Sequence, residues 1–265
     1  MNTRDRGFDV KKELEKIIQN YDYESYREND PVEFIWRLSK SKNQEIIGLI
    51  ASSLSYGRIE VFKKAIEEVF QILSPSPSLS IKNSLEEVES PLEGFSYRMT
   101  KSEDLIDLLY GIRSCVEEYG SLEETYKEGK GSHLEKCSSF VQKIRQGRKR
   151  DPLERGFKYL LSNPENGSAC KRLHLFFRWM VRGPNQIDIG IWDCIQSSEL
   201  IIPLDTHIHK ISRKLGLTDR KSKNIKTAKE ITENLKNWEK EDPLKYDFPL
   251  CHIGVKGEEE KLDFE

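Results

Sequence analysis

The chain has no long hydrophobic run. The longest, Ile46 to Ala51, contains a glycine and is far too short to cross a bilayer, which takes about 20 apolar residues. The first residues, MNTRDRGFDV, have no apolar signal-peptide core. A membrane span is therefore not expected, and a cytoplasmic location is. The five cysteines (Cys115, Cys137, Cys170, Cys194 and Cys251) are odd in number, widely spaced and without a CxxC pair. That spacing indicates neither a disulfide framework nor a zinc or iron–sulfur knuckle, so reduced thiols are expected, several of them in cores, with no cofactor and no metal. No internal repeat, coiled coil or long low-complexity linker divides the 265 residues, and strand-like alternation is hard to find.

What the chain does have is charge, unevenly spread. The formal net charge is only −2, yet Val141 to Lys229 holds nineteen Lys and Arg against eight Asp and Glu, a local surplus of +11 that leaves −13 elsewhere. A basic face on an otherwise acidic protein can bind a polyanion without a high overall pI, although charge runs are usually plain solvated helix surface.

Helical spacing runs through almost every segment. It predicts helices over 9–20, Pro31 to Leu38, Glu45 to Leu54, Val61 to Leu73, Glu103 to Tyr119 (capped by Ser102), Leu122 to Glu128, His133 to Arg145, Pro152 to Leu161, Lys171 to Val181 and Ala228 to Trp238. Residues 80–101 read as loops with short helices, and YDFPLCHIGV as a final buried helix or turn. Glu45 to Leu54 is apolar nearly all round, the mark of a helix in the middle of a core.

Two segments carry chemistry. In LIIPLDTHIHKISRKLGL, Leu200 to Leu217, a buried apolar run turns into a basic amphipathic helix at Asp205, where an aspartate caps the helix and is kept ionised by its dipole. The second segment pairs a tight turn, SNPENGSACK, with the helix from Lys171. One face of that helix is apolar (Leu173, Phe176, Phe177, Met180, Val181), and another bears a stripe of Lys171, His174, Arg178 and Arg182. Backbone N–H groups around Gly167 and Ser168 suit a DNA phosphate. The segment Gly183 to Leu204 is long enough to bring the two helix starts together. A lysine lying beside Arg172, or partly desolvated, is expected to have a lowered pKa and to act as an amine nucleophile, with the carboxylate as its partner.

These residues resemble the helix-hairpin-helix DNA glycosylases, the superfamily of endonuclease III and the 8-oxoguanine glycosylases. Pro164, Gly167 and Lys171 match the hairpin and its lysine helix, PLDTHIHKISRKLGL matches the apolar run ending in Asp, and LIASSLSYGRIEVFKKAIEEVF is similar to the early core helix. The likeness spans roughly Glu45 to Leu217 and is closest to a bacterial family distantly related to the archaeal 8-oxoguanine glycosylase subgroup, whose Lys-to-Asp separation is similar to the 34 residues here. The hairpin departs from the usual Leu-Pro-Gly-Val-Gly, and Tyr56 stands near where a Gln is expected.

The resemblance implies an all-α, two-lobed fold, with a helical barrel over 45–182, a second lobe from 1–44 plus 183–256, and an acidic tail at 257–265. It implies a monomeric, nucleoid-associated base-excision repair enzyme, a DNA glycosylase and AP lyase acting on duplex DNA with a damaged or abasic site. Lys171 would be nucleophile and Asp205 its electrostatic partner. Gly167, Ser168, Arg172, Arg178, Arg182, Lys210 and Arg213 would bind DNA, and Tyr56, Trp179, Trp192, His174 and His207 are the candidates for a base pocket or wedge. Two other readings remain open: a non-catalytic helix-hairpin-helix DNA binder, and a metal-dependent hydrolase using DTHIH, with Asp205, His207 and His209 as ligands.

Overall fold

The structure is a computed structural model that describes residues 3–256, so the acidic tail read at 257–265 lies outside the described residues. The described chain is predominantly helical. Its helices are α1 (Thr3–Asn20), α2 (Tyr23–Asn29), α3 (Glu33–Trp36), α4 (Ser41–Leu54), α5 (Ile59–Leu73), α6 (Pro77–Asn83), α7 (Leu85–Leu92), α8 (Ser102–Tyr119), α9 (Leu122–Lys127) and α10 (His133–Gln146). They continue with α11 (Arg155–Leu160), α12 (Lys171–Val181), α13 (Thr206–Lys214), α14 (Ile225–Lys236) and α15 (Asp247–Lys256). The one ladder among the described residues is a two-stranded antiparallel hairpin, β1 (Ser96–Tyr97) and β2 (Thr100–Lys101), which the sequence reading missed. No helix among the described residues is long and apolar enough to cross a membrane.

Helix α4 is the axis, as its apolar character predicts: every residue from Glu45 to Leu54 is buried. It packs against α12, α3, α5, α6 and α9. Gly48 permits the close approach to α12, because a Cβ there would lie 2.9 Å from the Met180 terminal methyl. Helix α8 packs on α9, α10 and α11, while α15 joins α13 and α1, bringing the N-terminal helix to the last one.

Side-chain caps set the starts of α2, α9, α10, α13 and α14, where Asp22, Ser121, Ser132, Asp205 and Asn224 each accept from a first-turn N–H, and the differences from the sequence reading fall at helix starts. Ser102 lies inside the first turn of α8, and the cap is Lys101, whose N–H donates to Asp104 Oδ2 at 3.0 Å. The Asp104 carboxylate, three residues past the cap, reaches back to the cap's own N–H and fixes the helix start one residue before the serine. Helix α14 begins three residues earlier than expected because Asn224 accepts from Thr227 N. Helix α11 loses its first residues, since Glu154 is extended at the cap position.

Candidate functional site

Helix α12 begins at Lys171, as its spacing predicts, directly after a compact hairpin. A 3-10 turn over Pro164–Asn166 closes with the Gly167 N–H donating to the Pro164 carbonyl at 2.9 Å. Gly167 has φ +77, the left-handed region that glycine enters without a Cβ clash. Asn163 organises the turn, accepting from Glu165 N at 2.9 Å and donating to the Ser138 carbonyl of α10 at 3.3 Å. The far side is tied to the start of α14: Ile225 N donates to the Gly167 carbonyl at 3.2 Å, and Ser168 bridges Asn224. Gly167 and Ser168 are exposed, but the Gly167 N–H is already engaged.

The second helix start meets the first. Leu200, Ile201, Ile202 and Leu204 are all buried, so the run anchors the chain up to Asp205. Asp205 is extended and caps α13 through Oδ1, which accepts from Ile208 N at 2.8 Å. Its other oxygen, Oδ2, lies 3.0 Å from Lys171 Nζ, the two residues expected to be brought together. The lysine side chain keeps 40% of its exposure and the aspartate 17%, so the pair lies at a surface and is reachable.

The lysine pKa moves opposite to the expectation. Burial pulls the Lys171 ammonium down, but the charge and hydrogen bond of Asp205, helped by Cys251 and Asp247, more than offset it and hold the group above the usual lysine range. A neighbouring Arg172 and desolvation both lower a lysine pKa, but a carboxylate at contact distance raises it further. Burial likewise pushes Asp205 up, while Lys171, the Ile208 N–H and His207 together hold it below the ordinary aspartate value. The free protein thus presents an ammonium–carboxylate pair.

Beside the pair, Arg172 is stacked between two aromatic rings, its guanidinium 4.9 Å from the Tyr56 ring centre and 4.7 Å from that of Tyr159. It donates to the carbonyls of Ser53 and Tyr159. The Tyr56 hydroxyl is held by the Tyr97 carbonyl and Thr100 Oγ1, both at 2.8 Å, so the small β hairpin braces the stack. A cavity of about 190 Å³ opens here, lined by Ser53, Tyr159, Ser168, Cys170, Lys171 and Arg172. Tyr159 was missed in the sequence. Its tip position on a short basic helix gave no periodic signal.

Several expected site residues lie elsewhere. Arg178 and Arg182 do not form a DNA-facing stripe. Arg178 is buried against Asp188 at 3.0 Å and Asp247, and Arg182 binds Asp188 and Asp242. The segment after α12 and the start of α15 bring three carboxylates over that face, and nothing in helical periodicity announces them. Trp179 is fully buried, and Trp192 is buried with its indole N–H donating to Glu45 Oε1 at 2.7 Å. Neither lines the cavity, and His174 is also in the core. Lys210, Arg213 and His207 are exposed on α13. His209 is buried and its Nε2 reaches the Arg220 carbonyl at 2.9 Å, so DTHIH does not converge as a ligand set. Among the described residues, the converging group of metal-ligand side chains is a different one, His133, Cys137 and His174.

The geometry defines a helical protein with a lysine–aspartate pair at the meeting of two helix N-termini, and a small cavity that Lys171, Arg172 and Tyr159 help to line. The chain belongs to the family described as "Protein of unknown function (DUF2400)", which it matches over residues 30–256. That span includes Lys171, Asp205 and every wall of the cavity. No curated protein and no solved structure matches the chain.

Proposed function

We propose that the protein is a DNA base-excision enzyme, a glycosylase with AP lyase activity that works through Lys171 and Asp205 on a damaged base, within a helix-hairpin-helix type of fold. The observation that carries this reading is the 3.0 Å contact between Lys171 Nζ and Asp205 Oδ2, with Lys171 also lining the cavity. Exposed Lys210 and Arg213 on α13, the helix that Asp205 caps, would meet phosphates. The tyrosine-flanked wall suits a base turned out of the stack, a step that costs a few kcal/mol and is easiest for a damaged or mispaired base.

In this mechanism Lys171 gives a proton to Asp205, which passes it to the leaving base. The neutral amine attacks C1′, the new C–N bond forms and the glycosidic bond breaks, its electron pair leaving with the protonated base. The attacking nitrogen then passes a proton to the ring oxygen as the C1′–O4′ bond breaks, which leaves a protonated imine between Lys171 and C1′, and transfer of a C2′ proton to a base expels the 3′ phosphate. The first transfer is uphill in the free protein, because the ion pair favours ammonium and carboxylate. It must be driven by substrate, whose phosphates and exclusion of water alter that balance.

The same ion pair also supports a second reading, a DNA binder or monofunctional enzyme in which Lys171 remains protonated throughout. Borohydride trapping on duplexes with an abasic site or 8-oxoguanine separates them. The expected result is a covalent adduct that is lost in Lys171→Gln and formed roughly 10²- to 10⁴-fold more slowly in Asp205→Asn. Undiminished trapping in Lys171→Gln, or no adduct with any modified-base duplex, overturns the lyase assignment.

A further inference from the structure

Within the core, three side chains of metal-binding type converge away from the cavity walls. His133 and Cys137 stand one turn apart on α10, and His174 faces them from α12. All three are buried, at 7%, 0% and 1% exposure. One ligand atom from each lies within 4.8 Å of the others. Cys137 Sγ lies 3.5 Å from His133 Nε2 and 3.6 Å from Nδ1, close enough that a turn of the side chains lets sulfur and nitrogen share one ion.

Two features distinguish this cluster from an ordinary core histidine. Neither ring nitrogen of His174 has a hydrogen-bond partner, although the residue is sealed from solvent. A buried polar group without a partner calls for an explanation, and an ion is one. His133 has the arrangement of an oriented ligand. Its Nδ1 lies 2.8 Å from the Tyr126 hydroxyl, and with Nδ1–H donated to that oxygen, the Nε2 lone pair is left for an ion beside Cys137.

We propose that His133, Cys137 and His174 form a closed structural site for one thiolate-seeking d10 metal ion, copper(I) or zinc(II). Binding replaces the Cys137 S–H bond with an S–metal bond and releases one proton. Two neutral imidazoles and a thiolate carry −1, and a dry interior disfavours net charge. Copper(I) balances that charge with three ligands. Zinc(II) leaves +1, so copper(I) is the better charge match, and the Tyr126 hydroxyl, engaged by His133 Nδ1, orients the imidazole from outside the ligand set. In either case the ion ties α10 to α12 one turn beyond Lys171. The proposal does not depend on what the lysine does.

The test uses the full chain, stripped with chelator under reducing conditions, and titrated separately with zinc(II) and with copper(I) against a competing chelator. Cobalt(II) serves as a spectroscopic probe. The expected result is one equivalent bound, one proton released, a thiolate-to-cobalt charge-transfer band, and loss of all three in Cys137→Ser and in His174→Phe. Tyr126→Phe, which removes the group that orients His133, should weaken either ion roughly 10- to 100-fold. Failure to bind either ion, or undiminished binding in both Cys137→Ser and His174→Phe, overturns the site. Where a variant does not fold, alkylation of the parent chain decides: metal should protect Cys137 during partial unfolding, and equal labelling with and without metal overturns the proposal.

Discussion

The two ends of α12 hold the same chemistry in opposite settings. At its start, Lys171 meets Asp205 at a half-open edge, and at its end Arg178 meets Asp188 and Asp247 in the sealed interior. The acids respond in opposite directions. Burial raises Asp247 and the Arg178 charge does not fully offset it, whereas at Asp205 the lysine, the cap N–H and His207 together outweigh burial. The difference lies in what each carboxylate keeps. Asp205 retains a backbone N–H on Oδ1 and some access to water, whereas Asp247, although it begins α15, is sealed against Arg178. A sealed pair serves to fix α12 against α15, while an open one is free to exchange partners with a ligand.

The sharpest way to break this comparison is Arg178→Met, which strands two buried carboxylates and should cost about 3–5 kcal/mol by chemical denaturation at neutral pH. A loss below about 1 kcal/mol would mean the sealed end is no more structural than the open one. A smaller effect concerns Glu45, which accepts from Leu122 N, Glu123 N and the Trp192 indole, and which burial raises to about 7 despite those bonds. The folded state therefore holds a proton that the unfolded chain releases near 4.5, so stability should fall as pH rises from 4.5 to about 7. The slope is at most ~1.4 kcal/mol per pH unit. Melting curves of Glu45→Gln should be flatter over that window, and an unchanged slope would assign it to another group.

The smallest stability effect is expected at the open end. Lys171→Gln should cost less than about 1 kcal/mol, because a half-exposed ion pair is screened by water. The pair's contribution is present above the ordinary Asp205 value of 3.8 and is lost as pH falls through the lower folded value. On the basic side it is present below the ordinary lysine value of 10.5 and is lost as pH rises through the higher folded one. Between these limits, melting of the parent and of Lys171→Gln should run parallel with pH. Curves that diverge near neutrality would show that the lysine titrates there.

Much of this architecture was legible one segment at a time. The bounds of α12, the burial of α4 and the capping role of Asp205 follow from apolar spacing and from the needs of the first helical turn, which are local properties. The Lys171–Asp205 contact was anticipated from the two helix starts, with the correct partners but the wrong consequence for the lysine pKa. The stripe on α12 shows why. Its spacing correctly put Lys171, His174, Arg178 and Arg182 along one side, but spacing does not say what covers that side.

By itself, then, the sequence determined most of the longer helices, the cap at Asp205 and the apolar faces, because each depends on neighbours within a turn or two. Only the tertiary structure decided which charges are sealed and which are reachable. Asp188 and Asp247 are far from Arg178 in the chain's own logic yet enclose it, Tyr159 joins Tyr56 around Arg172, and His174 faces His133 and Cys137 across two helices. The environment of an ionisable group is set by whatever packs against it, and here the deciding partners come from elements that no local pattern links.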